Sequence, residues 1–488
     1  MKQSISIGLA CGIILYGLAT TYPIQAQIIP DTTLPNNSSV TSEGNISIIN
    51  EGTRAGSNLF HSFEQFSIPT ESSAYFNNAP DIQNIISRVT GTSLSNIDGL
   101  IQANGTANLF LLNPNGIIFG PNSSLSIGGS FVGTTASSIN FADGTQFASN
   151  APQTTPLLTV SVPLGLQFGS NPGRILVQGQ GEGIRTTVDL IDTSFGLRVQ
   201  PNATLALIGG DVALEGGTLK TAGGRIELGS VAGPISVSLT PVDKGWALGY
   251  EGVQNLQDIQ LSQQTAVDAS GLGGGDVQVW GRRVTLTNGS QIEASTIGSG
   301  PGGTLAVTTS EVVELIEESG LFSSVYPEAT GAGGNLTLKT GRLSVRNGAQ
   351  IGAVTFGEGS AGTLAINAKD SVELIGTSTD GRFPSSLSTS AQRGATGVGG
   401  SVTLETGRLS IRDGAQISAS TSGTGAGGTL AINAKDSVEL TGTSTDGQFP
   451  SSLSTSVEQG ATGVGGSVIL ETARLSVRDG AQVSASKL

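Results

Sequence analysis

NLTLKTGRLSVRNGAQI, residues 335–351, returns as SVTLETGRLSIRDGAQI at 401–417 and as SVILETARLSVRDGAQV at 467–483, a spacing of 66 residues each time. Between these blocks TLAINAKDSVEL stands unchanged at 363–374 and 429–440, and an older copy, VTLTNGSQIEAS followed by GGTLAV, lies 59 residues upstream of the first. Within one copy the apolar side chains alternate in short runs: Val402 and Leu404, Leu409 and Ile411, Ile417, Leu430 and Ile432, Val438 and Leu440, Leu453. A period of two is the signature of a strand with one buried face. Each run ends within a few residues at Thr-Gly, Asp-Gly or Gly-Gly, so the chain turns a corner rather than entering a helix. Three short strands per coil fit, with two coils per repeat, 399–426 and 427–464. Stacked coils pair each strand with its equivalent about 4.8 Å away and place like residues over like in one continuous core. The fold expected is all-β, a right-handed three-faced parallel β-helix. An antiparallel β-sandwich is the competing architecture, because turn-rich alternation suits it too.

Composition agrees with a turn-rich solenoid. Gly occurs 72 times in 488 residues and charged residues make up 12%, against averages of about 7% and about 25%. The formal charge is −14, with 23 Lys and Arg that do not cluster, so nucleic acid is not expected as a partner. The first residues, MKQSISIGLACGIILYGLATTYPIQAQ, combine Lys2, an apolar run from Ile5 to Ala19, and small residues leading to Ala26. That is a secretory signal pattern, with cleavage expected after Ala26; a permanent N-terminal anchor is the weaker alternative, since the apolar run is short. Removal of Cys11 with the signal leaves no cysteine for a disulfide framework.

Between Gly44 and about Gly144 the chain does not repeat, and it carries most of the phenylalanines, among them Phe60, Phe63, Phe66, Phe76, Phe110, Phe119 and Phe131. A non-repeating start to a solenoid reads as its cap. Three stretches here, SNLFHSFEQFSIP from Ser57, NIISRVTG from Asn84 and SNIDGLIQANGTANLFLLNPNGIIFGPNSSLSIGGSFVGTTA from Ser95, resemble the secretion domain of filamentous haemagglutinin-type exoproteins of two-partner secretion, in the form common in cyanobacteria. Asn113-Pro114-Asn115-Gly116 lies between the runs NLFLL and IIF. Asn first, Pro second and Gly fourth spell a type I turn on the surface. In this context the turn resembles the family's secretion motif, which implies recognition in the periplasm by an outer-membrane two-partner secretion transporter, then export to the cell surface or medium. A second Asn-Pro motif of part of the family is not matched; Asn77-Asn78-Ala79-Pro80 occupies a comparable region.

Parallel β-helices also include pectin-cleaving enzymes, so a β-helical polysaccharide-acting enzyme (pectin lyase-like) is the alternative function. The residues offer little for it. Asp189 and Asp192 are neighbours in sequence, but nothing marks a cleft they could share; they read as solvated loop residues. The single His, His61, cannot build an imidazole metal site and reads as structural. Gly273-Gly274-Gly275-Asp276 occurs once, where a calcium nonapeptide would need stacked copies, and reads as a turn. We therefore expect no catalytic residues, no metal, no cofactor and no enzymatic activity. The organisation expected is a signal peptide (1–26), a two-partner secretion domain (27–150), an irregular β-helix continuation (151–272) and a repeat β-helix (273–488) whose last copy is incomplete. The function expected is that of an adhesin or structural rod, with an unidentified surface or glycan ligand. The last copy leaves Val468, Leu470, Leu475, Val477 and Val483 without a following coil, so that coil is expected to fray, to self-associate or to be continued by further chain.

Overall fold

Alternating side chains and glycine corners build the coils that the repeat implies. The computed structural model describes residues 27–150 and 158–485; the signal segment with Cys11 and the final three residues lie outside the described residues. The described chain is all-β, with no helix.

One parallel ladder runs nearly the whole length. It starts at Asn58–Phe66 and passes through Asn84–Val89, Asn108–Leu112, Phe131–Thr134, Thr204–Gly209 and Arg225–Ser230 to Asp276–Leu286. From there it continues coil by coil to Ser467–Thr472. A second ladder joins Ser95–Ile97, Ile117–Phe119, Ile175–Gln178, Val212–Glu215 and Asp258–Ser262. The third face is Ser73–Phe76, Leu100–Ala103 and Ser124–Ser126 at one end and ten short strands from Leu197–Arg198 to Gln482–Ser484 over the rest.

In the repeats, Ser401 pairs with Thr429 and Thr429 with Ser467, so the 66-residue unit holds two coils of 28 and 38 residues. There the first and second faces merge into one strand that bends at Gly341 and Gly407, where the register steps. Every alternating apolar residue named above from Val402 to Leu453 is buried. The Asp-Gly corner at 413–414 has φ of 58° and 92°, the left-handed region that Asp and Gly tolerate. The paired glycines answer a different need. A Cβ on Gly400 would sit 1.8 Å from the Gly362 carbonyl oxygen and one on Gly428 1.6 Å from that of Gly400, so these corners stack too closely for any side chain.

Antiparallel pieces decorate the N-terminal half. Ile28–Pro30 and Thr53–Ala55 pair with Asn58–Phe66, and Ser38–Glu43 with Ile46–Glu51. A five-stranded side sheet of Ser138–Phe141, Gln146–Ala148, Pro163–Gln167, Ser236–Val242 and Gly245–Gly249 leaves the coils at the corner between first and second faces. It covers the outside of the first ladder. Phe63, Phe66, Phe76, Phe119 and Phe131 fill the inner core, whereas Phe60 and Phe110 point outward into a second core with Phe141, Phe147, Phe168, Trp246 and Leu248. At the far end Leu475, Val477 and Val483 are 40–50% exposed, and Val468 and Leu470 only partly buried.

Candidate functional site

Asn113–Gly116 connects the end of Asn108–Leu112 on the first face to Ile117–Phe119 on the second. The apolar strands on either side anchor it, and the turn closes with the Gly116 amide donating to the Asn113 carbonyl at 3.1 Å. Gly116 has φ +131°, and a Cβ there would meet the Arg174 carbonyl oxygen at 3.0 Å, which explains glycine at the fourth position.

The corner is tied to the coils on both sides. The Asn113 amide donates to the Thr134 carbonyl at 3.0 Å, Gly173 donates to the Pro114 carbonyl at 2.9 Å and Ile117 to that of Arg174 at 3.1 Å, while Ser95 donates to the Gly116 carbonyl at 3.0 Å. The four residues are unequal. Asn113, expected on the surface, is fully buried: its Nδ2 donates to the Ser93 carbonyl and to Ser95 Oγ, both at 3.0 Å. Its Oδ1 accepts from the Asn115 amide at 3.0 Å and from Asn115 Nδ2 at 2.9 Å. Asn113 is therefore the internal strut of the turn, because a buried amide with these partners leaves orphaned groups when truncated. Pro114 is half-buried, and Asn115, whose Nδ2 also donates to the Gly91 carbonyl at 2.9 Å, is exposed. Leu94, 46% exposed, flanks it.

Asn77–Pro80 lies on a different corner, between the third face and the first. There Asn78 is buried, its Oδ1 accepting from the Asn104 amide at 2.9 Å. The structure does not bring the two Asn-Pro elements together.

The fully buried Arg88, in NIISRVTG, was given no role by the sequence. Its Nε donates to Ser62 Oγ at 2.8 Å, Nη2 to Thr33 Oγ1 at 2.7 Å and Nη1 to the Ala148 carbonyl, and its guanidinium lies 4.4 Å from the centre of the Phe147 ring. It therefore ties the first ladder to the segment after the N-terminal strand and to the side sheet. Burial lowers its pKa to about 10, partly offset by Asp31. Burial alone would raise the Asp31 carboxyl, but hydrogen bonds from Thr90, Ser62 and Thr33 hold it below the usual range. An arginine in a short strand with Ile85, Ile86 and Val89 was the available signal, since arginine is almost never fully buried unless paired. A ladder of amides runs beside it: Asn84 Nδ2 donates to Asn58 Oδ1 at 2.9 Å and Asn108 Nδ2 to Asn84 Oδ1 at 3.0 Å.

His61 is structural in position. It is buried between the Phe63 and Phe76 rings, Nδ1 lies 3.0 Å from Ser38 Oγ, and loss of water pushes its pKa down to about 3. Asp189 is exposed, its carbonyl accepting from Arg185 Nη1 at 2.7 Å. Asp192 corrects the expectation of a solvated loop residue. Its side chain is 3% exposed and meets Lys220 and, at 3.6 Å, Arg185, which also reaches Asp268 at 3.0 Å. The reason is the excursion 179–196, which folds down over the outer surface of the third face and brings its charges with it. Asp276, after the three glycines, accepts from the Thr304 amide at 3.1 Å.

Residues 26–279 match the TPS secretion domain family. Among solved structures, the chain is similar to the HMW1 secretion domain from Haemophilus influenzae, with 16% identity and a TM-score of 0.44 over 95% of this chain and 100% of that one. It is also similar to a filamentous hemagglutinin secretion domain, with 16% identity and a TM-score of 0.30 over 71% of this chain and 98% of that one. No curated protein matches the chain.

Proposed function

The chain belongs to the two-partner secretion (TPS) family, and from that premise we propose that its Asn113–Gly116 corner is what the cognate outer-membrane transporter reads. Membership makes the chain an exoprotein, secreted or surface-exposed after passage through the outer membrane, and implies that transporter as its partner. The finer reading is that a signal peptide takes the chain to the periplasm, the corner engages the transporter, and the coils then stack outside the cell as an adhesive or structural rod.

One observation carries the assignment. Asn115 presents an exposed polar side chain from a corner whose backbone is bonded to the coils above and below, and a pre-ordered group adds recognition without an ordering cost.

The rod is read as a binding or structural surface, not a catalytic one. The buried acids Asp192 and Asp268 are occupied by Arg185 and Lys220. Carboxylates so neutralised and covered are poorly placed as the paired acids of glycan cleavage. Cells carrying the transporter provide the test. Asn115→Ala should melt like the wild type to within about 1 kcal/mol, since its bonds to Gly91 and Ser93 are exposed and Asn113 Oδ1, which loses the Asn115 side chain, keeps the Asn115 amide as a donor, yet accumulate in the periplasm. Equal amounts of variant and wild type outside the cell would remove the corner from recognition.

A further inference from the structure

Repetition makes departures informative. On the outer surface of the third face, one column of the stacked coils reads Glu293, Phe322, Gly352, Ser388, Ser418, Ser454. At the next corner a second column reads Tyr326, Phe356, Gln392, Ser422, Glu458, each amide donating to a carbonyl one coil back. Small or polar side chains fill both columns in the later coils, and aromatic ones stand only where the columns pass Phe322, Tyr326 and Phe356.

These side chains line a groove of about 580 Å³, within the ~300–1,000 Å³ of small-ligand clefts. Its floor is the ring of Phe322, laid flat along the sheet. A Cβ on Gly320, two residues back on the same strand, would fall 2.1 Å from that ring, and one on Gly352, on the next coil, would touch it at 3.5 Å, so these two glycines are what let the ring lie down. Phe356, 44% exposed, and Phe383, 40% exposed and carried by the 376–385 excursion, rise beside it. Gln291, Gln350, Gln392 and Ser386 supply neutral donors and acceptors around the rim. Of the lining residues, Glu293 is the one carboxylate, and none is a cation. Burial, with Asp268 beside it, pushes its carboxyl up to about 7, and it hydrogen-bonds Ser295 and Tyr326.

We propose that this groove is a carbohydrate site taking a neutral pyranose, its C–H face stacked on Phe322 and its hydroxyls met by the surrounding amides. The chemistry excludes the competitors in turn. No cation lines the groove to hold a phosphate, sulfate or carboxylate, and the chain's net charge is −14. The strand Gly320–Phe322 is paired on both sides, so an extended peptide finds no free edge to join. An open aromatic face ringed by neutral hydrogen-bonding groups suits a ligand that is apolar on one face and hydroxylated at its rim. The proposal deepens the reading of the rod as an external binding surface, and rests on it.

Purified full-length protein on an array of neutral oligosaccharides built from glucose, galactose, mannose and N-acetylhexosamines, beside sialylated and sulfated counterparts, tests it, with calorimetry on those that bind. Neutral glycans should bind. Phe322→Ala should weaken them about tenfold or more, as loss of a central aromatic anchor does, at an unchanged melting temperature. Phe322→Trp should keep binding, and Phe449→Ala, at the matching excursion of the next repeat, should match the wild type. If Phe322→Ala melts early, Gln350→Ala reads the same loss from the rim. An array blank for neutral glycans, a preference for anionic ones, or wild-type affinity in both Phe322→Ala and Gln350→Ala overturns the proposal. Because the protein is assayed after purification, failure here leaves the export reading standing, and failed export leaves this result readable.

Discussion

Two strands of the same ladder, Asn108–Leu112 and Asn335–Arg346, show how differently the two halves of the molecule are built. In the first, four consecutive residues, Leu109 to Leu112, are buried, because Leu109 and Leu111 fill the coil while Phe110 and Leu112 fill a second core under the side sheet. In the second, Leu336, Leu338, Leu343 and Val345 point inward and their neighbours face water. A one-sided coil makes the same contacts with any similar coil, so coils can be duplicated, and the 66-residue unit was. A two-sided strand depends on chain far away in sequence, and each of its coils is unique. The family match ends at residue 279, where the two-sided construction also gives way.

The contrast is open to attack at four points, in order of size. Phe110→Ala empties the second core beside Trp246, whose ring is 5.4 Å away, and should cost about 3–5 kcal/mol. Thr403→Ala, at an outward position of the rod, should change stability by no more than about 0.5 kcal/mol. Urea melts of the two variants decide this, and similar losses would erase the distinction. Arg88→Met keeps the volume but takes a donor from the Ala148 carbonyl and from the Ser62 and Thr33 hydroxyls, which keep only Asp31 and each other, and should cost about 2–3 kcal/mol. A loss confined to the side sheet would still be visible as early proteolysis within 138–148 or 163–167.

His61 gives a signature in pH. Its folded pKa lies near 3, below the ordinary 6.5, so as pH falls from 6.5 the unfolded chain takes up a proton that the folded chain refuses until about pH 3. The unfolded state binds more protons throughout that window, and stability falls with pH. Between pH 7 and pH 5 the wild type should lose about 2 kcal/mol more than His61→Gln. No difference would mean that the single histidine is accessible to water. The smallest effect belongs to the rod. Joining 400 to 467 removes two coils and should shorten the molecule by about 10 Å, read by small-angle scattering, while leaving the melting of the N-terminal half unchanged.

The same contrast explains what could be read in advance. Alternation from Val402 to Leu453, with glycine corners between the runs, was enough to place coils, faces and inward residues, because local pattern and global packing agree in a one-sided coil. NLFLL is apolar on both faces, but nothing local says that Trp246 and Leu248, over a hundred residues on, supply the cover. Asn113 was read as a surface group because turn chemistry is local, whereas its burial comes from Ser93 and Ser95 on the coil before. Asp192 was misread in the same way, since only the folded excursion carries it onto Lys220. Phe322 and Phe356 were in plain view as breaks in a repeat, and could have been found by aligning coils rather than whole repeats.

The central claim is that export is read from the N-terminal half and that the rod is interchangeable cargo. The most direct measurement is the extracellular fraction, in cells carrying the cognate transporter, of the wild type, of Asn115→Ala and of the chain lacking 401–466. The account predicts that the shortened chain is exported at the wild-type level and that Asn115→Ala is retained. Export of Asn115→Ala together with retention of the shortened chain would contradict it.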